Sequence, residues 1–481
     1  MARSAVTKSV KSARSSRKPS RSRRPGSNGN ATKSIRTYRS ALNYLNSCIN
    51  IEKLPNVTQS PQFFNLTRMN RLLSALGNPH KQLKTIHVAG TKGKGSTATM
   101  LARMLQSCGY TTGLYTSPHL VEIRERIAID GQMIKELELT RLIARIAKAA
   151  KRMKGSSPTY FEVLTAAAFC YFADQKVDLA VIETGVGGRL DSTNVIKPEV
   201  CALTSISIDH TSVLGNTLGE IAVEKAGVFK SGVPVVSAPQ RPEIKKILRK
   251  AAAQSNAPIS FTGEDIEFSY RFESARPVGP HTRICVTTPT ARFEHLHVPL
   301  LGDHQAVNCS VALGCMGALK ERGIEIDVQR AIDGLSKVTL PGRMEMINES
   351  PRVLVDGAHN AASIHALMRA IGQNIPYDSM VVIFACQADK DIRGMLRHIQ
   401  LGADKTIFTY SGAARTADPY ELLNTYTEMC GKMAQVADTL EEALEIAERA
   451  VGRDDLICIC GSFYLVGKAK RLFAKSNGDR S

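Results

Sequence analysis

The chain of 481 residues is 43% hydrophobic and 22% charged, as is typical of a globular protein with two or three domains. It has no tryptophan and only 5% aromatic residues, a composition that disfavours base-stacking platforms for nucleic acids. No apolar run approaches the roughly 20 residues that cross a bilayer, so we expect no membrane span.

Much of the net charge of +19 lies in residues 1–38, which we predict to be a disordered basic tail. Residues 1–50 hold no Asp or Glu, and 12 Lys and Arg lie between residues 3 and 39. Such a polar stretch has too little apolar surface to form a core. A solvated tail, an organelle transit peptide and a tether for nucleic acid or an anionic surface all stay open. The expected location is cytoplasmic, or mitochondrial if the tail is a transit peptide.

The 11 cysteines are scattered along the chain and form no C-x-x-C pair. Most lie in apolar stretches such as ICIC, residues 457–460. This pattern indicates buried, reduced thiols in a reducing compartment, and it disfavours a metal site built on cysteine.

From residue 84 onward, short apolar strands alternate with amphipathic helices, which is the pattern of a mostly parallel sheet. The predicted strands are 85–89, 178–183, 200–207 and 233–237, and the predicted helices are 93–110, 157–174 and 305–321. Residues 259–300 change to an alternating, β-rich sequence, which predicts an antiparallel flap or edge hairpin.

The segment TLPGR, residues 339–343, places Pro and Gly before the next strand and is a predicted hinge. Beyond it we predict strands at 352–356, 379–385, 405–410 and 455–460, alternating with helices at 361–373, 391–401, 418–430, 439–451 and 464–474. The sequence therefore predicts an α/β fold with two domains. A phosphate-loop mononucleotide-binding domain with a parallel sheet spans 39–340, and a smaller Rossmann-like domain spans 341–481.

The stretch HVAGTKGKGSTATM, residues 87–100, resembles a phosphate loop with one irregularity. The strict pattern places Ser or Thr directly after the lysine, whereas here Gly95 follows Lys94 and Ser96 comes one position late. A strand, a glycine-rich turn and a helix would still aim backbone N–H groups and the helix dipole at an anion. Lys94 adds a point charge, and Ser96 or Thr97 could reach Mg²⁺. An ordinary glycine-rich turn is the alternative.

Polar side chains follow several of the predicted strands. Glu183 and the nearby Asp191 follow one strand, and Asp209 and His210 follow the next. The carboxyl ends of neighbouring parallel strands meet at one edge of a sheet, so these groups could hold a phosphate-bridging metal. Helix caps and a backbone-bonded histidine are the alternatives. In the second domain, VDGAHN and ACQADKD, residues 355–360 and 385–391, end strands in the same way and could face the nucleotide across a cleft.

Two further stretches are ambiguous from composition alone. TSPH, residues 116–119, reads as a turn that carries Ser117 and His119. Lys225 lies in an apolar helical stretch, where a salt bridge to Glu220 or Glu224 is the ordinary expectation.

Ten segments in order resemble the folylpolyglutamate synthase and dihydrofolate synthase family of the Mur ligase superfamily. They are GTKGKGS, TSPHL, ETGVGGRLD, the DH of SIDH, EKAG, GDHQAVN, LPGR, DGAHN, ADKD and CGSFYLVG. The resemblance spans residues 40–475 and makes Gly95 a family feature. Lys92 stands where the family usually has Asn, and it either favours ATP binding or points to solvent.

The resemblance implies ATP-dependent addition of L-glutamate to dihydropteroate, to the γ-carboxylate of (tetrahydro)folates, or to both. The carboxylate is phosphorylated to an acyl phosphate, the amine of glutamate attacks it, and phosphate leaves. This chemistry belongs to folate biosynthesis and polyglutamylation, and the implied enzyme is a monomer that uses ATP and two Mg²⁺ ions.

The resemblance also assigns roles to particular residues. ATP contacts fall on Gly90, Thr91, Gly93, Lys94, Gly95, Ser96, Thr97, Asn308, Arg343 and Asp356. Magnesium ligands fall on Ser96, Ser117, Glu183 and His210, with Lys225 as a carbamate. Pteroate contacts fall on Thr159, Tyr160, Phe161, Glu162, Leu190, Asp191 and Ser192, and glutamate contacts on Ser462 and Tyr464. The implied catalytic residues are Lys94, Lys225, His210, Arg343 and His359.

Three other readings are weaker. A peptidoglycan ligase of the same superfamily would need a nucleotide-sugar domain, but only about 50 foldable residues precede Gly90. A nucleic-acid-dependent NTPase would be expected to carry positive charge on its folded domains and a recognisable nucleic-acid module. In this sequence the excess positive charge is concentrated in the tail, and no such module is recognised. A catalytically silent binding protein would not need Lys94, Glu183, His210 and Asp356.

Overall fold

The computed structural model describes residues 35–52, 54, 57, 59–60, 62–153, 155, 157–273, 281–298, 300–413 and 415–478. Most of the predicted tail, residues 1–34, lies outside this range. Its predicted end at residue 38 is wrong, because Ile35 and Tyr38 pack against the core and Thr37 caps the first helix through the amide of Ser40.

A sheet of eight strands forms the centre of the first half of the chain. Its strands are β1 (Thr85–Ala89), β2 (Thr112–Tyr115), β3 (Ile127–Ile129), β4 (Gln132–Met133), β5 (Leu179–Glu183), β6 (Val200–Leu203), β7 (Val235–Ser237) and β8 (Ile259–Phe261). They pair in the order β4-β3-β2-β5-β1-β6-β7-β8. All neighbours are parallel except at β3 and β4. The parallel sheet is confirmed.

Helices cover both faces of this sheet. They are α1 (Tyr38–Ser47), α2 (Leu66–Ala75), α3 (Lys94–Ser107), α4 (Glu136–Arg152), α5 (Tyr160–Asp174), α6 (Thr211–Leu214), α7 (Leu218–Ala226), α8 (Pro242–Gln254), α9 (Asp303–Glu321) and α10 (Val328–Ser336). On α3, the apolar side chains at helical spacing, Met100, Leu101, Met104 and Leu105, are fully buried. Each contributes about 1.5–3 kcal/mol of burial free energy, which fixes the helix that begins at the glycine-rich loop.

The β-rich segment divides between two sheets. Its first strand, β8, is the edge of the large sheet, whereas β9 (Glu267–Glu273), β10 (His281–Thr287) and β11 (Arg292–Val298) form a separate antiparallel sheet. The buried side chains of β10 and β11 alternate along each strand and join the core beside α9. The predicted antiparallel unit is thus present, with three strands among the described residues.

A six-stranded sheet forms the second half of the chain. Its strands are β12 (Glu345–Glu349), β13 (Arg352–Val355), β14 (Met380–Phe384), β15 (Lys405–Phe408), β16 (Met433–Val436) and β17 (Leu456–Cys460), and its helices are α11 (Ala361–Asn374), α12 (Ile392–Gly402), α13 (Pro419–Met429), α14 (Leu440–Glu448) and α15 (Phe463–Gly478). The order is β12-β13-β17-β14-β15-β16, with β12 antiparallel and the other strands parallel. The four predicted strands are present, and β12 and β16 are additional.

Within the described residues, the helices are either too short or too polar to cross a lipid bilayer.

Candidate active site

The carboxyl ends of β1, β2, β5 and β6 open into a cleft of about 1070 Å³, and loops of the second sheet form its opposite wall. This is the edge of an open α/β sheet at which ligands bind. The predicted residues that line the cleft are Thr91, Gly93, Lys94, Gly95, Ser96, Ser117, Thr159, Phe161, Glu183, Asp191, Ser192, His210, Arg343, His359, Ser462 and Tyr464. The predicted residues that do not line it are Gly90, Thr97, Tyr160, Glu162, Leu190, Lys225, Asn308 and Asp356.

The glycine-rich loop turns directly from β1 into α3. Gly93 is the N-cap of α3 with φ +82°, a conformation that favours glycine. The first turn of α3 starts at Lys94 and lines the cleft, so the amides that have no partner within the helix face that space. The Lys94 amine lies 3.5 Å from the carbonyl oxygen of Thr91. Loop and lysine together form an anion-binding cradle.

Three of the predicted ATP contacts support this loop from behind. The side chain of Asn308 lies beneath Gly93, and its amide donates to Gln305 at 3.0 Å. The Thr97 hydroxyl donates to the Asn308 carbonyl at 3.4 Å. A Cβ at Gly90 would overlap the Thr204 hydroxyl. These residues support the loop and do not line the cleft.

Glu183 is a buried carboxylate at the end of β5. It accepts a hydrogen bond from the Ser117 amide at 3.0 Å and lies beside Gly95 at the start of α3. Burial raises its pKa, and the charge of Lys94 opposes that rise.

His210 has φ +50° and a pKa lowered to about 4 by burial, so its imidazole is neutral at physiological pH.

The donor set around Glu183 fits a magnesium ion. Among the described residues there is no group of three or more His, Cys, Asp or Glu side chains that could hold a metal. A site here therefore needs hydroxyl oxygens as well, and Ser96 and Ser117 line the same part of the cleft. A buried carboxylate together with oxygen donors is the ligand chemistry that Mg²⁺ prefers.

Lys225 is buried behind the loop on α7, and the expected salt bridge is absent among its described contacts. Its amine donates to the Gly90 carbonyl at 2.6 Å. Glu224 instead pairs with Arg189 at 2.8 Å, and Glu220 caps the start of α7. Burial, followed by the charge of Lys94, holds the pKa of Lys225 well below its usual range. A neutral amine is the form that reacts with carbon dioxide, so the site suits the implied carbamate.

The predicted hinge brings a buried arginine to the cleft. Burial lowers the pKa of Arg343, and Asp356 and Glu183 oppose that shift. Its guanidinium lies 4.5 Å from the ring centre of Phe463. The Asp356 carboxylate accepts hydrogen bonds from the amides of Met344 and Ala358, at 2.9 and 2.7 Å, so it orders the turn beside Arg343.

His359 is held as a neutral imidazole on the second domain. Its Nδ1 lies 2.8 Å from the Gly357 carbonyl, so Nδ1 carries the proton and Nε2 carries a lone pair. Burial lowers its pKa to about 3. Ser462 and Tyr464 line the cleft on the same domain, where the Tyr464 amide donates to the Ser462 hydroxyl at 3.2 Å.

An apolar wall lies at the other end of the cleft. Phe63, Phe64 and Phe161 form it together with Ile51 and Val57. These side chains suit a flat, largely apolar ring system.

Three of the predicted pteroate contacts face elsewhere. Glu162 is buried in an ion pair with Arg68 at 2.7 Å and caps its own helix with Thr159. The Tyr160 ring lies under the guanidinium of Arg126 at 5.6 Å. Leu190 is not part of the cleft surface. Internal contacts account for the positions of Glu162 and Tyr160.

Asp191 lines the cleft, but its carboxylate shapes the neighbouring loop. One oxygen accepts from the amides of Gly185 and Val186, and the other accepts from Thr193. Because the Thr193 hydroxyl donates to Asp191, it accepts from His87 Nε2–H at 2.8 Å. The chain of bonds ties the pocket loop to β1.

Two groups of charged residues cross the cleft, and their pairing was not predicted from the motifs. Asp209 pairs with Lys92 and with Lys390 of the second domain. The side chain of Arg126 pairs with Glu52 at 2.8 Å, and the Glu52 carbonyl accepts from Arg415 at 3.1 Å. The ADKD motif contained a signal for Lys390, whereas no motif pointed to Glu52 or Arg415.

Comparison with known proteins identifies the family. A model of the Mur ligase middle domain matches residues 88–316, and a model of the Mur ligase glutamate ligase domain matches residues 342–463. A dihydrofolate synthase/folylpolyglutamate synthase of Bacillus subtilis is 34% identical over 412 residues, which cover 84% of this chain and 94% of that protein. The chain belongs to the folylpolyglutamate synthase/dihydrofolate synthase family of Mur ligases.

Solved structures of this Mur ligase family share the fold. Mycobacterium tuberculosis folylpolyglutamate synthase complexed with ADP has a TM-score of 0.82 at 31% identity, covering 92% of this chain and 99% of that chain. E. coli FolC in complex with DHPP and ADP has a TM-score of 0.80 at 28% identity, covering 92% and 98%. The chain is accordingly an ATP-dependent ligase that forms amide bonds.

Proposed function

We propose that the protein uses ATP and Mg²⁺ to join L-glutamate to dihydropteroate, to the γ-carboxylate of folates, or to both. One observation carries this proposal. The phosphate loop, the buried Glu183 and an apolar wall share a single cleft with the second-domain residues His359, Ser462 and Tyr464. A nucleotide, a ring-bearing carboxylate and an amino acid thus have adjoining surfaces.

In the first step, an oxygen of the acceptor carboxylate attacks the γ-phosphorus of ATP, and ADP leaves with the electrons of the broken P–O bond. The amides at the start of α3 and Lys94 bind the β- and γ-phosphates. Arg343 lies at the same cleft and offsets charge on the transferred phosphoryl group. Magnesium bound by Glu183, His210, Ser96 and Ser117 would supply further neutralisation of that charge. We also propose that Lys225, as a carbamate, is a magnesium ligand.

In the second step, the amine of glutamate attacks the acyl carbon, and phosphate leaves with the electrons of the C–O bond. The amine must lose a proton as the amide forms. The neutral His359 offers Nε2 as a hydrogen-bond acceptor on the second domain. Arg415 lines the cleft near Tyr464, and its cation would attract a carboxylate of glutamate.

The acceptor is proposed to lie against the apolar wall. Phe161 supplies a ring face for stacking, and Thr159 and Ser192 supply hydroxyls at the same surface. The relative from Bacillus subtilis carries both activities in its name, which supports testing both acceptors.

The deciding experiment compares acceptors. Purified protein is given ATP, Mg²⁺ and L-glutamate with dihydropteroate, with tetrahydrofolate or with neither, and ADP release is recorded. We expect glutamate-dependent release with at least one acceptor and none without an acceptor. Absence of glutamate-dependent release with both acceptors would refute the proposal, while the ratio of the two rates identifies the enzyme as bifunctional or specific.

We also propose a two-domain organisation for the chain. The ATP-binding domain spans 39–340 and the glutamate-ligase domain 341–481, so that closure at the hinge excludes water from the acyl phosphate. We propose that the enzyme acts as a monomer in the cytoplasm, with a mitochondrial location as the alternative if the basic tail serves as a transit peptide.

A further inference from the structure

Lys92, in the phosphate loop, is directed to a side-chain partner and not to solvent. Its amine lies 2.9 Å from Oδ2 of Asp209, at the end of the loop that follows β6. The Lys92 side chain is 23% exposed and that of Asp209 is 6% exposed. This is a largely desolvated pair, in which each charge depends on the other.

The second domain holds the same carboxylate from the opposite side. The Lys390 amine lies 3.0 Å from Oδ1 of Asp209, and the Asn360 amide donates to Oδ2 at 3.2 Å. Lys390 follows β14, and Asn360 caps α11. Asp209 is therefore a shared acceptor for the phosphate loop and for two turns of the second domain.

We propose that Lys92 is a positioning residue that couples the phosphate loop to the second domain through Asp209. The inference rests on the proposed function in one respect, namely that the loop binds the phosphates of ATP. Lys92 draws Asp209 towards the loop, and Asp209 in turn holds Lys390 and Asn360 over the cleft. Occupation of the loop by a nucleotide is thereby linked to the position of the second domain.

Charge explains why an amine suits this position. Asp209 carries one negative charge and meets two lysines, so the cluster of three side chains is net positive beside the phosphate loop. Replacing Lys92 by Asn would leave Asp209 and Lys390 as a neutral pair and would shorten the side chain, so that the link from the loop to Asp209 is lost. Nucleotide affinity and the contact between domains should fall together.

A double-mutant cycle on ADP affinity separates coupling from a simple loss of charge. ADP binding is measured by calorimetry for the wild type, Lys92→Asn, Lys390→Gln and the double variant. If both lysines act through Asp209, we expect Lys92→Asn to weaken binding roughly 10-fold alone but no more than about 3-fold when Lys390 is already replaced. Equal factors in the two backgrounds would overturn the proposal.

Hydrogen–deuterium exchange reports on the second domain directly. In the wild type, we expect ADP to slow exchange in residues 386–394, which surround Lys390. Lys92→Asn should lose this protection even at saturating ADP, and Lys92→Arg should restore it because Arg retains the charge and the reach. Protection that persists in Lys92→Asn would refute the coupling.

Lys148→Gln is the matched control, since it removes one positive charge at an exposed position of α4. Both readouts should be unchanged in this variant. If the wild type itself failed to bind ADP, the phosphate loop and the coupling would both be refuted. If it bound ADP but released none with either acceptor, the proposed function would fail and the cycle would still decide the role of Lys92.

Discussion

The side chain of Asn308 lies directly under Gly93, so that a Cβ at residue 93 would stand 1.9 Å from the Asn308 side-chain oxygen. Two independent constraints therefore require glycine at this position. Its φ of +82° disfavours any side chain, and the space for a Cβ is already occupied. The glycine-rich motif and the distant GDHQAVN segment are thus two parts of one loop support.

Gly93→Ala should abolish nucleotide binding while the rest of the fold persists. The clash forces either the loop or α9 to move, and the amides at the start of α3 lose their alignment. We expect ADP-releasing activity to fall at least about 100-fold, the effect of losing a preorganised set of donors. Gly77→Ala is the control, because its φ is +86° and nothing lies within 4 Å of its Cβ position. Similar activity losses in both variants would show that the positive φ, and not the clash, is responsible.

Lys94→Ala should remove turnover without unfolding the protein. The Lys94 amine is only 3.5 Å from the Thr91 carbonyl, which is a weak contact, so its loss should lower the melting temperature little. Loss of a cation at the transferred phosphoryl group should reduce kcat by roughly 100-fold to 1000-fold. Steady-state ADP release and thermal unfolding measure the two effects. Wild-type turnover in this variant would show that the loop is misassigned.

Most interior strands of the two sheets could be predicted from the sequence, whereas β2 and most of the edge strands could not. Strands such as β6 and β14 are continuous apolar runs, and all their residues are buried, which is typical of parallel strands covered on both faces. The edge strands β12 and β16 are short and only partly buried. Their pairing depends on a neighbouring strand and leaves no clear apolar pattern.

The candidate site was predictable where a residue follows a strand or a glycine-rich turn. Glu183 and Lys94 are of this kind, since local sequence places them at the sheet edge. The pairing of Lys92 with Asp209 joins residues 117 positions apart, and no periodicity signals such a contact. Glu162 is the opposite case, because the resemblance assigns it to the acceptor, whereas the structure gives it a buried partner in Arg68.

Glu162→Gln should destabilise the protein and loosen the apolar wall. Arg68 is buried with Glu162 and also donates to the carbonyls of Gln62 and Phe63, next to the wall. Removing one charge of a buried pair costs about 3–5 kcal/mol, measured as a loss in urea unfolding free energy. The acceptor KM should rise while the ADP affinity stays unchanged.

The exposed pair of Arg145 and Asp174 provides the comparison for Glu162. Its side chains are 43% and 49% exposed, so Asp174→Asn should cost less than about 1 kcal/mol. A cost for Glu162→Gln as small as that for Asp174→Asn would show that the buried pair does not hold the wall.

Gly467→Ala should push the two domains apart at their contact. Gly467 lies on α15, and a Cβ there would stand 1.9 Å from the Leu120 carbonyl oxygen of the first domain. Because a backbone atom cannot yield as a flexible side chain can, α15 must shift away from the TSPHL segment. We expect kcat to fall more than ADP affinity, since the first domain keeps its phosphate loop. Gly372→Ala on α11 is the control, with nothing within 4 Å of its Cβ position, and it should gain about 0.5–1 kcal/mol of stability.

His87→Gln should remove a defined part of the pH dependence of stability. Burial, together with the charge of Lys230, lowers the pKa of His87 to about 3 from its ordinary value of 6.5. Between these values the folded state binds fewer protons than the unfolded state, so stability rises with pH and is lost as the pH falls. The slope approaches about 1.4 kcal/mol per pH unit well below pH 6.5, so protonation of His87 alone should lower the stability by about 1.6 kcal/mol between pH 6.5 and pH 5.

The comparison of wild type with His87→Gln isolates this residue, because the buried His210 and His359 titrate in both proteins and cancel. Gln can still donate to the Thr193 hydroxyl and keeps the bond chain to Asp191. Urea unfolding at pH 7 and pH 5 should show the stability advantage of the wild type shrinking by about 2 kcal/mol at the lower pH. A difference independent of pH would mean that His87 has the same pKa in the folded and unfolded states, which would contradict a neutral, buried imidazole at this position.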